Sequence, residues 1–305
     1  FFFHAQPAIP DPLWSRGLGD VYKRQAPDTI QEAVSILNDH GDRARCLAGG
    51  TDVLVQARGE RFELDAIVDI KKIPDLTEFR WSDTHLIIGA ATPCYKLYED
   101  KKVSETFPGI VDSAFLIGGI QIQSRASLGG NLCNASPSAD GICALIVHEA
   151  VCTIAGPDGL REIPVEDMCQ GPGKNALGKG EFLISLSLPL KGSDFSAAYE
   201  RFIPRNEMDI AVAAVASSLE ISNGIVTSCR IALAAVGPTP IFANEASDLI
   251  IGKEPTEENI RKVSEKAKEI ASPISDMRGT VDHRKDLIEV LTRRTINKSL
   301  ERLGV

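Results

Sequence analysis

No long run of Lys and Arg occurs in the 305 residues, and the net charge is −9, so the chain lacks the basic surface that neutralises nucleic-acid phosphates. Nucleic acid is not an expected partner. The seven cysteines, at positions 46, 94, 133, 143, 152, 169 and 229, include no C-x-x-C pair, so neither a disulfide framework nor an iron–sulfur or zinc site within this chain is expected. They read as small buried hydrophobes. No apolar run approaches the ~20 residues that span a bilayer, and Phe1-Phe2-Phe3-His4 lacks the basic start of a secretion signal. The expectation is a cytoplasmic protein with no membrane span.

The common cofactor and catalytic signatures are missing too. Neither G-x-G-x-x-G nor G-x-x-x-x-G-K-[ST] occurs, since Gly173-Lys174 lacks the upstream glycine and is followed by Asn175, which argues against a classical dinucleotide fold or a P-loop. His40, His85, His148 and His283 have no mutual metal-ligand spacing, and no Ser/His/Asp triad or catalytic carboxylate pair stands out. No catalytic residue and no metal ligand is assigned.

What is present is a soluble composition, 43% hydrophobic and 25% charged, large enough for two or three domains. Residues 1–25 show no sustained period and read as an unassigned tail or artefact. Thr29-Ile30-Gln31-Glu32 has capping-box spacing ahead of a helix that runs to Gly41. Ala66–Ile70, His85–Ala90, Val151–Ala155 and Phe182–Leu186 read as buried strands, with helices over Pro108–Ile117 and Ala144–Ala150. A boundary falls near residue 192. Beyond it Ala197–Phe202, Ala211–Ile221 and Ile225–Val236 read as three antiparallel strands, the last two joined by Asn223-Gly224, and three helices follow over Asn244–Ile251, Thr256–Ile270 and Asp282–Leu303.

Two glycine-rich segments stand out, Leu47-Ala48-Gly49-Gly50-Thr51-Asp52 and Ser127-Leu128-Gly129-Gly130-Asn131-Leu132-Cys133-Asn134-Ala135-Ser136-Pro137. Residues without Cβ let backbone N–H groups approach an anion such as a pyrophosphate, although a Gly-Gly pair also serves as an ordinary tight turn. Asp140 follows the second segment, spaced either to accept bonds from a ribose or to cap a helix. The stretch Arg201–Asp209 reads as a charged loop.

Taken in order, these segments resemble the FAD-binding subunit of the molybdenum hydroxylases, the xanthine dehydrogenase and carbon monoxide dehydrogenase medium-subunit family, over residues 26–305. The carriers are Leu47–Asp52, Gln121 with Ser127–Asn131 and Ala135-Ser136-Pro137, Asp140, Val236-Gly237-Pro238-Thr239-Pro240, and Ser275-Asp276-Met277-Arg278-Gly279 with Arg284. Gly171–Lys174 and Leu132-Cys133-Asn134 look most like the bacterial xanthine dehydrogenases. The resemblance implies an α+β fold: a two-lobed FAD domain of the vanillyl-alcohol-oxidase (PCMH) type over 26–192, then over 193–305 a three-stranded antiparallel sheet with packed helices.

It also implies site residues. Gly49, Gly50 and Thr51, with Leu47, Ala48 and Asp52 in the same loop, would meet the FAD pyrophosphate from one side, and Ser127, Gly130 and Asn131 from the other. Asp140 would bind the ribose. Ile117 and Leu183 would lie near the flavin ring. The implied cofactor is non-covalent FAD, with NAD as acceptor and with molybdopterin and 2Fe-2S clusters carried only by partner subunits, an iron–sulfur chain and a molybdopterin-binding chain. Other readings are a carbon monoxide, nicotinate or other N-heterocycle dehydrogenase subunit, a cofactor-free scaffold, and a free-standing flavin oxidase. The sequence departs from the family in lacking a clear opening strand before Pro27 and in placing His283 where tyrosine is common.

Overall fold

The computed structural model describes residues 23–59, 61–205 and 208–305. Residues 1–22 of the expected tail lie outside the described residues. Lys23–Gln25 does not belong to a tail: it is strand β1, paired in parallel with β3 (Ala66–Asp69), which carries β2 (Ala44–Leu47) on its other side. It is the opening strand that the sequence seemed to lack. Three residues are too few for alternation to show, and the strand is held by its ladder, by the Lys23 N–H on the Asp65 carbonyl (2.8 Å) and by an ion pair of Arg24 with Asp69.

The first lobe is completed by α1 (Ile30–His40) and α2 (Val53–Arg58). Thr29 Oγ1 accepts from Glu32 N–H (3.2 Å) while Glu32 Oε2 accepts from Asp28 N–H (3.1 Å), so the expected cap is present, shifted by one residue on its return bond.

The second lobe is a five-stranded antiparallel sheet in the order β4 (Phe79–Trp81), β5 (His85–Gly89), β10 (Phe182–Pro189), β6 (Val151–Gly156), β7 (Gly159–Pro164). Between β5 and β6 the chain makes six helices: α3 (Cys94–Glu99), α4 (Lys101–Thr106), α5 (Pro108–Ala114), α6 (Ile120–Gln123), α7 (Leu128–Asn134) and α8 (Asp140–Val147). A small hairpin, β8 (Cys169–Gly171) with β9 (Lys174–Asn175), precedes β10. Two segments depart from expectation. The second glycine motif is the helix α7 rather than a tight turn, and α8 begins at Asp140, four residues before the expected start.

Residues from Phe195 onward form a third sheet, β11 (Phe195–Phe202), β12 (Ala213–Ser222), β13 (Ile225–Ala234) and β14 (Ile241–Phe242), all antiparallel. It has four strands rather than three because Ile241 and Phe242, too short to announce themselves, pair with Leu233 and Ala232. The helices are α9 (Asn244–Asp248), α10 (Glu257–Ile270) and α11 (Val281–Leu303).

Period-two alternation explains how the sheet joins the rest. Ala214, Ala216, Ala232 and Ala234 belong to the core shared with α5 and α8, whereas Ala213, Val215, Ile231 and Leu233 belong to the core under α10 and α11. At these four positions the inner face carries only methyl groups, and α8, in which every residue is buried, packs against β12 and β13 there. Asp112 of α5 fastens the same junction: it accepts from the Tyr199 N–H (3.2 Å), Lys298 (3.2 Å) and both arms of Arg302 (2.9 and 2.8 Å). Arg230 adds bonds to the Ile146 carbonyl (3.0 Å) and Glu166 (2.9 Å).

His148 follows α8, buried between Phe107 and Phe195, with Nδ1 2.7 Å from the Ala144 carbonyl and no partner for Nε2 among the described residues. Burial pushes its pKa down to about 4. The unfolded chain protonates this imidazole near its ordinary value, so the unfolded state binds the extra proton and stability drains away as pH falls from about 6.5 to about 4. Urea midpoints at pH about 7 and about 5 are expected to show His148→Leu losing about 2 kcal/mol less than the parent over that interval.

Candidate functional site

The first glycine segment leaves the end of β2 and turns into α2. Gly50 takes a left-handed φ of +79°, and a Cβ there would stand 2.9 Å from Leu47 Cδ1 and 3.0 Å from Leu54 Cδ1. The N–H groups of Gly49, Gly50, Thr51 and Asp52 donate to no acceptor among the described residues. The turn therefore offers a row of backbone donors, the requirement for holding a polyanion without side-chain charge.

The second segment begins at Ser127, which bridges to Pro93 and whose Oγ accepts from the Gly130 N–H (3.0 Å) and caps α7, leaving the Gly129 N–H group unpaired among the described residues. The two segments touch through bare backbone. A Cβ on Gly49 would fall 2.0 Å from the Arg125 carbonyl oxygen and 3.0 Å from the Ala126 nitrogen, and Arg125 Nε donates to the Gly49 carbonyl at 3.1 Å. Gln56 of α2 reaches Asn134 of α7 at 2.9 Å. Gly129 packs in the same way on the Ala90 backbone, where a Cβ would meet the carbonyl oxygen at 2.4 Å.

Asn131 Oδ1 accepts the Gly141 N–H (3.0 Å), which ties α7 to the start of α8 and to Asp140. Asp140 makes no cap; the N-cap position is Ala139. Its carboxylate is buried, with Oδ1 accepting from Tyr199 Oη at 2.6 Å and Oδ2 from Arg201 at 2.7 Å. The Asp140 and Arg201 side chains are 10% and 5% exposed. Burial lifts the Asp140 pKa above the usual carboxylate range, against the pull of Arg201 and the Tyr199 hydroxyl.

Tyr199 and Arg201 were not singled out by the sequence, which placed Arg201 at the head of a charged loop. The signal was there: Ala197, Tyr199 and Arg201 alternate along β11, and a cation on the face of a strand that also carries Ala and Tyr needs a buried anion.

The remaining expected residues scatter. Asp52 is exposed and its side chain caps nothing. Ile117 (8% exposed) and Leu183 (2%) both sit in the core of the second lobe. Pro137 accepts the Ala235 N–H at 2.7 Å, and Arg284 gathers the carbonyls of Val212 (2.7 Å) and Ala235 (3.0 Å) with Asp276 (2.7 Å). The family carriers in the C-terminal region thus lock the third sheet onto the tail of the second glycine motif. No His/Cys/Asp/Glu cluster able to hold a metal occurs among the described residues, and none of their helices is long and apolar enough to cross a membrane.

Donor-rich glycine segments on a two-lobed α+β scaffold define a flavin-binding domain, and two family models match: the FAD binding domain in molybdopterin dehydrogenase over residues 21–191, and the CO dehydrogenase flavoprotein C-terminal domain over residues 197–299. The xanthine dehydrogenase FAD-binding subunit of Escherichia coli O157:H7 is 30% identical, covering 93% of this chain and 97% of that one. The carbon monoxide dehydrogenase medium chain of Afipia carboxidovorans is also 30% identical, over 90% and 96%. Carbon monoxide dehydrogenase from Hydrogenophaga pseudoflava superposes with a TM-score of 0.89 at 29% identity, covering 92% of this chain and 98% of that chain. The chain belongs to the FAD-binding medium-subunit family of the molybdenum hydroxylases.

The two glycines at the centre of the site differ in their surroundings. Gly49→Ala must push apart two backbones and is expected to destabilise by about 2–4 kcal/mol, whereas Gly130→Ala meets only Ser127 Oγ at 3.1 Å and should change stability by less than about 1 kcal/mol. Parallel denaturation curves check the order.

Proposed function

We propose that the chain holds FAD non-covalently and acts as the electron outlet of a three-part molybdenum hydroxylase of the xanthine dehydrogenase type. The observation that carries this is the row of four N–H groups at Gly49–Asp52 that have no partner among the described residues, set against the glycine-built start of α7. The donors are backbone N–H groups, two of them on glycines, of the kind that can come close to a diphosphate.

In this reading Gly49, Gly50 and Thr51 bind the pyrophosphate, with Leu47, Ala48 and Asp52 shaping the same turn. Ser127, Gly130 and Asn131 close on it from the side of α7. Asp140 accepts from ribose hydroxyls with the lone pairs that Tyr199 and Arg201 leave over. Ile117 and Leu183 form an apolar wall for the flavin ring. When bound, the flavin would supply two-electron chemistry between 2Fe-2S clusters on a partner chain and NAD as acceptor. The clusters and the molybdopterin belong to an iron–sulfur subunit and a molybdopterin-binding subunit, in a cytoplasmic complex. Non-covalent attachment accords with the thiols near the loops: Cys46 and Cys133 are half-buried, and desolvation pushes Cys46 up to about 12 and raises Cys133 as well, which favours the protonated thiol in both.

A second reading is the flavin subunit of a carbon monoxide or N-heterocycle dehydrogenase. It is favoured by the equal 30% identity to the carbon monoxide dehydrogenase medium chain of Afipia carboxidovorans. In either case the substrate is chosen by the molybdopterin-binding partner.

Gly50→Val puts a branched side chain at φ +79° between Leu47 and Leu54 and blocks the turn. Flavin absorbance after gel filtration is expected for the parent chain with excess FAD and to be lost, by about tenfold or more, in the variant. Full occupancy of Gly50→Val would overturn the assignment of this turn, and a colourless parent would overturn FAD binding itself.

A further inference from the structure

We infer that Tyr199 and Arg201, both from the C-terminal domain, are positioning residues that aim the Asp140 carboxylate at the cofactor, so that docking of the third sheet sets how tightly FAD is held. The inference rests on the FAD-binding reading above.

Three observations meet here. Asp140 is linked to the glycine motif of α7 through its neighbour, the Gly141 N–H on Asn131 Oδ1, so it stands at the edge of the donor-rich site. Both of its oxygens are fixed by groups of β11, the Tyr199 hydroxyl at 2.6 Å and Arg201 at 2.7 Å. Arg201 Nε is buried with no partner among the described residues. A guanidinium 5% exposed that leaves a donor unused is held there by the carboxylate and has no other buried anion among the described residues.

The chemistry follows from burial. A carboxylate on the first residue of a wholly buried helix tends to take up a proton, and a protonated Asp140 cannot offer four acceptor sites to hydroxyl donors. The groups that face it are Tyr199 and Arg201 from β11 and Cys143 one turn along α8. Asp112 of α5 stands behind Tyr199, accepting its backbone N–H at 3.2 Å. Of these only Arg201 is cationic, and only Arg201 and the Tyr199 hydroxyl donate to the carboxylate. They favour its ionised form against the pull of burial and fix its rotation, as a bound hydroxyl pair requires. The N-terminal domain carries the site, and the C-terminal domain holds its acidic residue in the working state.

The test is FAD titration of the full-length apo chain by flavin fluorescence across pH about 8 to about 5, with melting of each apo chain as control. Tyr199→Phe deletes one donor and is expected to weaken FAD by about tenfold at the upper pH. The pH at which binding is lost should also move upward, because the carboxyl protonates sooner. Arg201→Lys should restore most of the affinity that Arg201→Gln loses. If Arg201→Gln does not melt cooperatively, Tyr199→Phe and Arg201→Lys still decide the matter. A parent chain that binds no FAD sinks the flavin reading. A parent that binds FAD, beside a folded Tyr199→Phe of equal affinity and identical pH profile, sinks this inference alone.

Discussion

Backbone meets backbone where the two glycine segments cross, and the geometry of the site descends from that approach. A single Cβ at Gly49 would occupy the space of the Arg125 carbonyl, and one at Gly129 would strike the Ala90 carbonyl. With those atoms absent, the end of β2, the end of β5 and the start of α7 converge within van der Waals contact. The N–H groups of Gly49 to Asp52, beside this crossing, have no partner among the described residues, and of the four residues Gly49 alone is buried, so its donor is the one whose unmet bond is costly.

The rest of the molecule holds this crossing in register. Helix α8 runs from Asp140 into the core, flanked by α5 and α7 and by the alanine face of the third sheet. That sheet is anchored by charges that have partners: Asp112 with Lys298 and Arg302, Arg230 with Glu166, and Asp140 with Arg201. An ion pair as buried as the last contributes less to net stability than to specifying a single arrangement, since breaking it strands a charge. The C-terminal domain is therefore joined to the flavin domain by directional contacts as well as by packed alanines. The thiols here are spread through or against the apolar cores, and no group of His, Cys, Asp and Glu able to hold a metal occurs among the described residues.

Much of this was legible in the residues. The Thr29 cap, the Asn223-Gly224 turn with both residues at positive φ, the helices α10 and α11 and the long strands of the third sheet each carry a local signature strong enough to read alone. Strands of two or three residues, β1 and β14, carry none, because periodicity needs more residues than they have. The second glycine motif is a helix because Ser127 caps it and Gly141 binds Asn131 from ten residues away, and no local propensity of Leu-Gly-Gly-Asn announces that.

The sequence by itself determined where backbone could be laid bare: glycine pairs beside small polar residues bring backbone to an anion or make a turn. It also determined the alternating faces of β11–β13. Only the tertiary structure decided which turn faces which, that Gly49 rests on Arg125, and that Asp140 answers to Tyr199 and Arg201, about sixty residues on. Burial and charge pairing at that distance depend on how sheets stack, and stacking is a property of the folded whole, not of any stretch of chain.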